Sequence, residues 1–342
     1  MHLATTRLTL QPLTAAELAF YIQDNQQLEQ ELGLATGSRE LTERVKNKIA
    51  ESIIPAVTRA GELYEFHTIW IVIDTASKTI VADLYCKGEP NASGDVEIGY
   101  GTYPAYQGRG LMTEAVAGLV RWAFTQKNIR AVLAETDPGN TASQKVLQRN
   151  HFRISNQTPD NICWRLERKD LVRIRKATKE DAPLLAAIAA ASFIESHGHS
   201  APAADIQAYV AEKYNPAVLQ QELQDPDNIY HLLYFQEQPA GYSRIIFNTP
   251  CPGSPEQHIT KLERLYLLKA FYKLQLGTAL FEFNVNLMKE NKQAGAWLYV
   301  WKDNQRAVQF YQQAGFVIIG SHDFQISATH SNPNHRMLLR FR

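Results

Sequence analysis

One pattern occurs twice in this chain, at a nearly constant offset. Gly277 follows Met112 by 165 positions, Asn304 follows Asn140 by 164, and Phe316 follows Phe152 by 164. Two unrelated halves have no reason to hold such a register, so a tandem repeat of one fold is expected. Length agrees, since 342 residues exceed what one core of ordinary size encloses. The only obvious seam is short, Lys169-Asp170, which sets expected domains at residues 1–168 and 171–342.

Within each repeat, short apolar runs alternate with segments of helical period. In the first, strands are expected at residues 6–12, 66–74, 79–86, 97–103, 131–136 and 162–166. Helices are expected there at 15–23, 40–60, 111–124 and 142–149. In the second, strands at 172–177, 230–235, 240–247, 262–268, 296–301, 316–320 and 337–341 are interleaved with helices. Those helices are expected to end near 194 and to cover 203–214, 216–224, 277–291 and 304–314. Thr178 and Asp181 have capping-box spacing ahead of the first of them.

The stretch richest in chemistry is EIGYGTYPAYQGRGLMTEAVAGLVRWAF, residues 97–124. It reads as a strand, a tight turn at Gln107-Gly108-Arg109-Gly110, and an amphipathic helix carrying Leu111, Ala115, Leu119 and Trp122. Glycines at a helix entrance let backbone N–H groups converge, and the helix dipole adds partial positive charge. Such a turn suits a phosphate-bearing ligand. It lacks the Lys-Ser/Thr ending of a P-loop and the third glycine of a dinucleotide fingerprint. Its spacing is Gln-x-x-Gly-x-small, which resembles the acetyl-CoA pyrophosphate loop of the GNAT acyltransferases. PAYQGRGLMTEA is most similar to the RimJ/RimL branch of that family.

The resemblance implies an α/β (α+β) fold: two tandem GNAT-like domains, each a mixed, mostly antiparallel twisted sheet flanked by helices. It implies acetyl-CoA as co-substrate, held in the first half by Gln107, Gly108, Arg109, Gly110 and Met112. Met112 stands where the family has Gly or Ala and is expected to narrow the turn. In the second half, LYVWKDNQRAVQFYQQAGF (298–316) is similar to the strand–helix–strand block of the same family. With LERLYLL before it, this half resembles the PaiA-type branch, associated with polyamines and other small amines. The resemblance places Asn304 on the pantetheine arm and Tyr311 near the CoA sulfur, where a phenol can protonate the departing thiolate. Phe310 is expected to pack its helix on the sheet. Lys273 and Gly277 are expected to serve the phosphate loop, although Tyr272 replaces Gln/Arg and Gln275 replaces a glycine that a φ > 0 turn favours. The first half shows the converse. Asn140 keeps the pantetheine position, and Ser143 is either a partner of the sulfur or acetyl group or a helix cap. Val146-Leu147 occupies the Phe-Tyr place, leaving no tyrosine there.

Each half also puts a glutamate on the strand before its loop, Glu97 and Glu263. An attacking amine must be neutral, and at pH 7 deprotonation costs roughly 4.6 kcal/mol for a lysine-like amine but about 1 for an α-amine. A carboxylate, through water, can accept that proton and attract the cationic substrate. Glu263, between Leu262 and Leu265 in an apolar strand, is expected to do so, and Glu97 is either such a base or a solvated strand residue.

Lys+Arg and Asp+Glu both number 35, so no basic surplus points to nucleic acid. No apolar run reaches the ~18 residues of a membrane span. MHLATTRLTLQPLT lacks a signal core, and three scattered cysteines fit a reducing compartment, so a cytoplasmic location is expected. His197, His199, His330 and His335 have no acidic or cysteine partner at ligand spacing; no metal site is expected. Glu222, Asp225 and Asp227 read as a solvated charge run, with a polyamine clamp as the alternative. The expected activity is acetyl-CoA-dependent N-acetylation of a primary amine (a small amine, a polyamine or a protein N-terminus) by direct attack on the thioester. Two alternatives stand beside it: one half silent and supporting the other, or a chain that senses acyl-CoA without catalysis.

Overall fold

Two units, Met1–Asp170 and Leu171–Arg342, each build one sheet. The computed structural model of the chain describes residues 1–23, 26–39 and 41–341. In the first unit the strands are β1 (Leu3–Ala4), β2 (Leu8–Pro12), β3 (Ile69–Asp74), β4 (Thr79–Cys86), β5 (Asp95–Thr102), β6 (Ala131–Thr136), β7 (Arg153–Gln157) and β8 (Ile162–Glu167). Its helices are α1 (Ala15–Tyr21), α2 (Gln27–Glu31), α3 (Glu43–Lys48), α4 (Ile54–Ala60), α5 (Leu111–Thr125) and α6 (Thr141–Arg149). The sheet runs β1-β2-β3-β4-β5-β6-β8-β7, antiparallel throughout except between β5 and β6.

Burial on both faces explains the continuous apolar run of β3. Ile69, Ile71 and Ile73 face a cluster with Leu13, Leu18 and Tyr21, while Trp70 meets Trp122 of α5 with ring centroids 4.8 Å apart. Gly118 lets α5 lie against β2, because a Cβ there would come within 3.1 Å of Thr5 Cγ2 and 3.5 Å of Leu10.

The second unit repeats the plan with β9 (Val172–Lys176), β10 (Ile229–Phe235), β11 (Gln238–Ile246), β12 (Ile259–Leu267), β13 (Gly295–Trp301), β14 (Val317–Gln325) and β15 (Ser331–Arg340). Its helices are α7 (Ala182–His197), α8 (Ala203–Lys213), α9 (Pro216–Gln224), α10 (Leu276–Glu290) and α11 (Gln305–Gln313). The order is β14-β15-β13-β12-β11-β10-β9, and β12–β13 is the parallel pair. Helices α7 to α9 cover one face around Leu185, Phe193 and Leu232; α10 and α11 cover the other around Leu262, Phe281 and Met337.

Several expectations change. The helix expected over 40–60 is two helices joined by a π-helical stretch, Ile49–Ile53; its first residue, Glu40, lies outside the described residues. Pro55 causes the change, since it has no N–H for the helix ladder and its ring crowds the preceding turn. The strand expected from 66 starts at Ile69, after a 3₁₀ stretch, Gly61–Phe66. Strand β7 (RISNQ) is exposed at every residue, so it carries no alternation to read. Strands β14 and β15 extend well beyond 320 and before 337 as a largely polar ribbon, in which the buried residues of β15 are asparagines, Asn332 and Asn334, so no apolar alternation marks it.

The capping box at Thr178 is present. Asp181 accepts from Thr178 N at 2.8 Å and from both Nη atoms of Arg175 at 2.7 and 2.6 Å. Hydrogen bonds from Arg175 hold its carboxyl well down, to about 2. A folded value below the ordinary carboxylate near 3.9 stabilises the fold above that pH and ceases to do so as pH falls toward 2. Asp181→Asn should destabilise the chain by about 1 kcal/mol near neutrality. Denaturant titrations of the two proteins should converge between pH 4 and 2.

Candidate functional site

In both sheets the parallel strands part company almost at once. Strand β5 pairs with β6 only through Asp95, Val96 and Glu97, and β12 with β13 only through Ile259, Thr260 and Lys261. Beyond those points, Ile98–Thr102 and Leu262–Leu267 pair with no strand on that side among the described residues, so the two strands open apart there. An extended ligand can satisfy their peptide groups as an added strand would.

The turn after each strand adopts the same backbone. Gly108 and Gly110 have φ of 74° and 73°. At the matching places in the second unit, Lys273 and Gln275 have φ of 66° and 58°. The lost glycine therefore does not alter the turn; two ordinary side chains are held left-handed, at about 1 kcal/mol each. The first helix bonds are Glu114 N to Gly110 O and Ala279 N to Gln275 O. The N–H groups of Leu111, Met112 and Thr113, and of Leu276, Gly277 and Thr278, precede them and remain open to an anion. Met112 does not narrow the first turn, because its side chain is 6% exposed and packs inward. Gln107 donates to Thr102 O at 3.2 Å, and Arg109 to Ala105 O at 3.1 Å with its guanidinium over Tyr106.

In the second unit the turn opens on a cavity of about 290 Å³ whose walls include Lys273, Gln275, Gly277, Arg306 and Tyr311. Arg306, on α11, places its guanidinium carbon 3.6 Å from the Tyr272 ring centre. Among the described residues no carboxylate pairs with it. Sequence reading missed Arg306, yet its place two residues after Asn304 puts it over the turn. A second cavity, of about 280 Å³, shares Tyr272, Arg306 and Tyr311 with the first and contains Glu263. Tyr311 therefore stands where the two meet. It is 8% exposed, burial raises its phenol pKa, and its hydroxyl has no hydrogen-bond partner among the described residues. Phe310 packs edge-on against Phe281.

Asn140 and Asn304 are N-caps. Their side-chain oxygens accept from Ser143 N at 3.0 Å and Ala307 N at 3.2 Å, which leaves the amide NH₂ groups for other partners. Ser143 is not itself the cap. Its hydroxyl lies 2.8 Å from Tyr100 OH, on β5, and burial pushes that phenol up to about 12. The first unit thus has a tyrosine after all. Tyr100 corresponds in register to Leu265, and Leu147 to Tyr311, so tyrosine and leucine have exchanged sides of the opening.

The two glutamates are not equivalent. Glu97 and Lys261 are each the third residue of the parallel pairing, whereas Glu263 is an extra residue at a bulge between Leu262 and Arg264. Without that bulge Leu262 and Leu265 would face opposite sides of the sheet; with it both join one core cluster. Glu263 pairs with Lys261 at 2.5 Å, and Glu97 pairs with Lys87, which also lies 3.6 Å from Glu135.

The acidic run is no clamp. Glu222 receives Arg264 at 3.0 Å, Arg244 at 3.2 Å and the Tyr230 hydroxyl, and Asp225 closes its own loop on Asp227 N at 3.0 Å. His197 is not a loop residue but the last of α7, stacked on Phe193 at 4.7 Å; burial and then His199 lower its pKa to about 4. His330 bonds Ser200 O at 2.6 Å. Among the described residues no cluster could hold a metal ion.

Comparison with known proteins agrees with this geometry. A family profile described as acetyltransferase (GNAT) domain matches residues 7–153, and one described as acetyltransferase (GNAT) family matches residues 191–316. An uncharacterized N-acetyltransferase in the pepI 3′ region of Lactobacillus delbrueckii subsp. lactis is 27% identical over 153 residues, 45% of this chain and 88% of that one. An uncharacterized N-acetyltransferase of Mycobacterium bovis is 27% identical over 152 residues, 44% of this chain and 93% of its own. Among solved structures, PaiA N-acetyltransferase from Thermoplasma acidophilum in complex with coenzyme A is 21% identical, covering 50% of this chain and 99% of that one at a TM-score of 0.41. With one such domain in each half, the chain belongs to the GNAT acetyltransferase family and is an acyltransferase.

Proposed function

We propose that the chain transfers an acetyl group from acetyl-CoA to a primary amine, either a small amine or polyamine or a protein N-terminus. The observation that carries the reading is the convergence at Tyr311. An unpartnered phenol stands between a helix-terminus turn open to phosphate and a cavity holding a carboxylate. The turn Gln107–Gly110 and its counterpart around Lys273 and Gly277 would take the diphosphate. The free peptide edge of β5 or β12 and the amides of Asn140 or Asn304 would take the pantetheine arm.

In the second unit the neutral amine attacks the thioester carbonyl carbon, the C–S bond breaks, and the leaving thiolate takes the Tyr311 proton. The proton that the nitrogen sheds on becoming an amide passes through water to the Tyr311 phenolate. Glu263 attracts the incoming ammonium and, through water, receives its proton, exchanging Lys261 for the substrate. In the first unit Tyr100, bridged to Ser143, would protonate the thiolate. Glu97 there is tied to Lys87, which favours an α-amine that needs little help to lose its proton. Proximity supplies much of the remaining acceleration. Both units keep the turn and a tyrosine, which supports two working sites over one silent half or a non-catalytic sensor. Among the described residues no helix is long and apolar enough to cross a membrane, and we place the reaction in the cytoplasm, where acetyl-CoA is at hand.

Calorimetric titration of the full chain with acetyl-CoA should show two sites. Gly110→Glu, which adds bulk and negative charge at a φ of 73°, should remove one; if both remain at unchanged affinity, the turn is not the diphosphate site. Arg306→Ala should weaken the other about tenfold, the usual worth of a charge-assisted hydrogen bond.

Once an acceptor is found for each unit, Tyr311→Phe and Tyr100→Phe should each lower that unit's kcat by about 10²–10³ with little change in acetyl-CoA affinity. Because burial raises both phenols, the protonated donor persists above pH 10. Wild-type kcat should therefore show no tyrosine-dependent fall between pH 8 and 10. Full kcat in either Phe variant removes that tyrosine from the reaction.

A further inference from the structure

The cavity that holds Glu263 is walled by rings from five elements. Phe193 and His197 come from α7, Tyr209 from α8, Tyr266 from β12, Trp301 from β13 and Phe324 from β14. They form one connected chain of ring contacts, some stacked and some edge-on. Phe193 stacks on His197 at 4.7 Å and on Tyr209 at 4.9 Å, Tyr209 meets Phe324 at 5.8 Å, and His197 lies 5.7 Å from Trp301 and 6.0 Å from Tyr266.

The charge on the walls is the wrong kind for a polycation. Glu263 is the only carboxylate among the described residues lining the cavity, and Lys261 already occupies it at 2.5 Å. Lys261, Arg264 and Arg306 all line the same space, and the carboxylate that balances Arg264, Glu222, lies outside the lining. His197, with its pKa lowered, adds no charge near neutrality. A chain with several ammonium groups would bring each into a site with one engaged anion and a surplus of cations. A single ammonium can displace Lys261 from Glu263 or rest on a ring face, while the body behind it lies flat against the stacked rings.

We infer that the second unit's acceptor is a monoamine carried on an aromatic ring, which this cavity binds by stacking. The inference rests on the acetyl-transfer reading and narrows its acceptor.

The test uses the full chain with acetyl-CoA and follows release of free thiol with 2-phenylethylamine, tryptamine, putrescine, spermidine and an alanine-initiated peptide. The arylalkylamines should exceed either polyamine at least tenfold in kcat/KM. Trp301→Leu should raise their KM about tenfold and leave the KM for acetyl-CoA unchanged. Should that variant fail to fold, Tyr209→Leu on the opposite wall takes its place. A polyamine or the peptide as the best small acceptor of the Gly110→Glu chain overturns the inference, as does an unchanged arylalkylamine KM in a folded variant. Equilibrium dialysis of tryptamine and spermidine against the CoA-loaded chain separates the two readings. If no amine is acetylated but tryptamine still binds more tightly than spermidine, the aromatic site stands and acetyl transfer falls. If tryptamine binds no better than spermidine, the aromatic site falls.

Discussion

Everything in each unit is arranged around a fault in its sheet. Two parallel strands that bond for three residues and then separate leave a row of peptide groups that no neighbouring strand pairs with among the described residues. Buried peptide groups left so would cost more than the fold can give up, and therefore the opening must face water or a ligand. The packing keeps it from closing. In the second unit α11 sets Tyr311 into the wedge against a core cluster that includes Leu262 and Phe316. In the first, Tyr100 reaches across it to Ser143 on α6. The helix that follows each strand begins after the same unpaired edge, and on the proposed reading its free N–H groups and that edge serve one extended molecule.

The two copies meet this constraint by different residues. A tyrosine and a leucine share the matching strand and helix positions in both, Tyr100 with Leu147 in one and Leu265 with Tyr311 in the other. Such an exchange keeps volume and a hydroxyl while changing which element supplies them. Read position by position, the first copy has lost a tyrosine; read in space, the phenol has moved from helix to strand. The turns show the same freedom. Glycine makes the left-handed backbone cheap, but Lys273 and Gln275 hold it too, because the flanking strand and helix fix where the chain must reverse.

How far the sequence disclosed this depends on the range of the interaction. The strands β3 and β13 bury continuous apolar runs of strand length and the helix α5 buries apolar residues at helical spacing, so their existence and type were legible. The repeat, the turn and the block around Asn304 were legible because local spacing defines them. Strand β7 and the outer parts of β14 and β15, beyond 320 and before 337, were not, since polar ribbons obey pairing and show no apolar alternation. The bulge at Glu263 left a trace that was overlooked. Leu262 and Leu265 are three apart, which one strand can bring to the same face only by adding a residue. Arg306 over Tyr272 and Tyr100 beside Ser143 join residues from separate elements, and no local pattern marks such pairs.

Charge illustrates the same point. A chain with equal numbers of acids and bases can still assign them very unevenly, and the second unit does. Glu222, which reads as part of an acidic run, is drawn inward to hold Arg264 and Arg244 beneath a layer of tyrosines. Removing that carboxylate would leave two guanidinium groups uncompensated next to the cavity floor, so its place in the fold is structural. Among the described residues the one carboxylate left on the cavity walls is Glu263, which a bulge turned there. On the proposed reading, recognition of an amine in that space falls to one exchangeable ion pair and to rings, and a site built so would discriminate by the shape behind the amine more than by its charge.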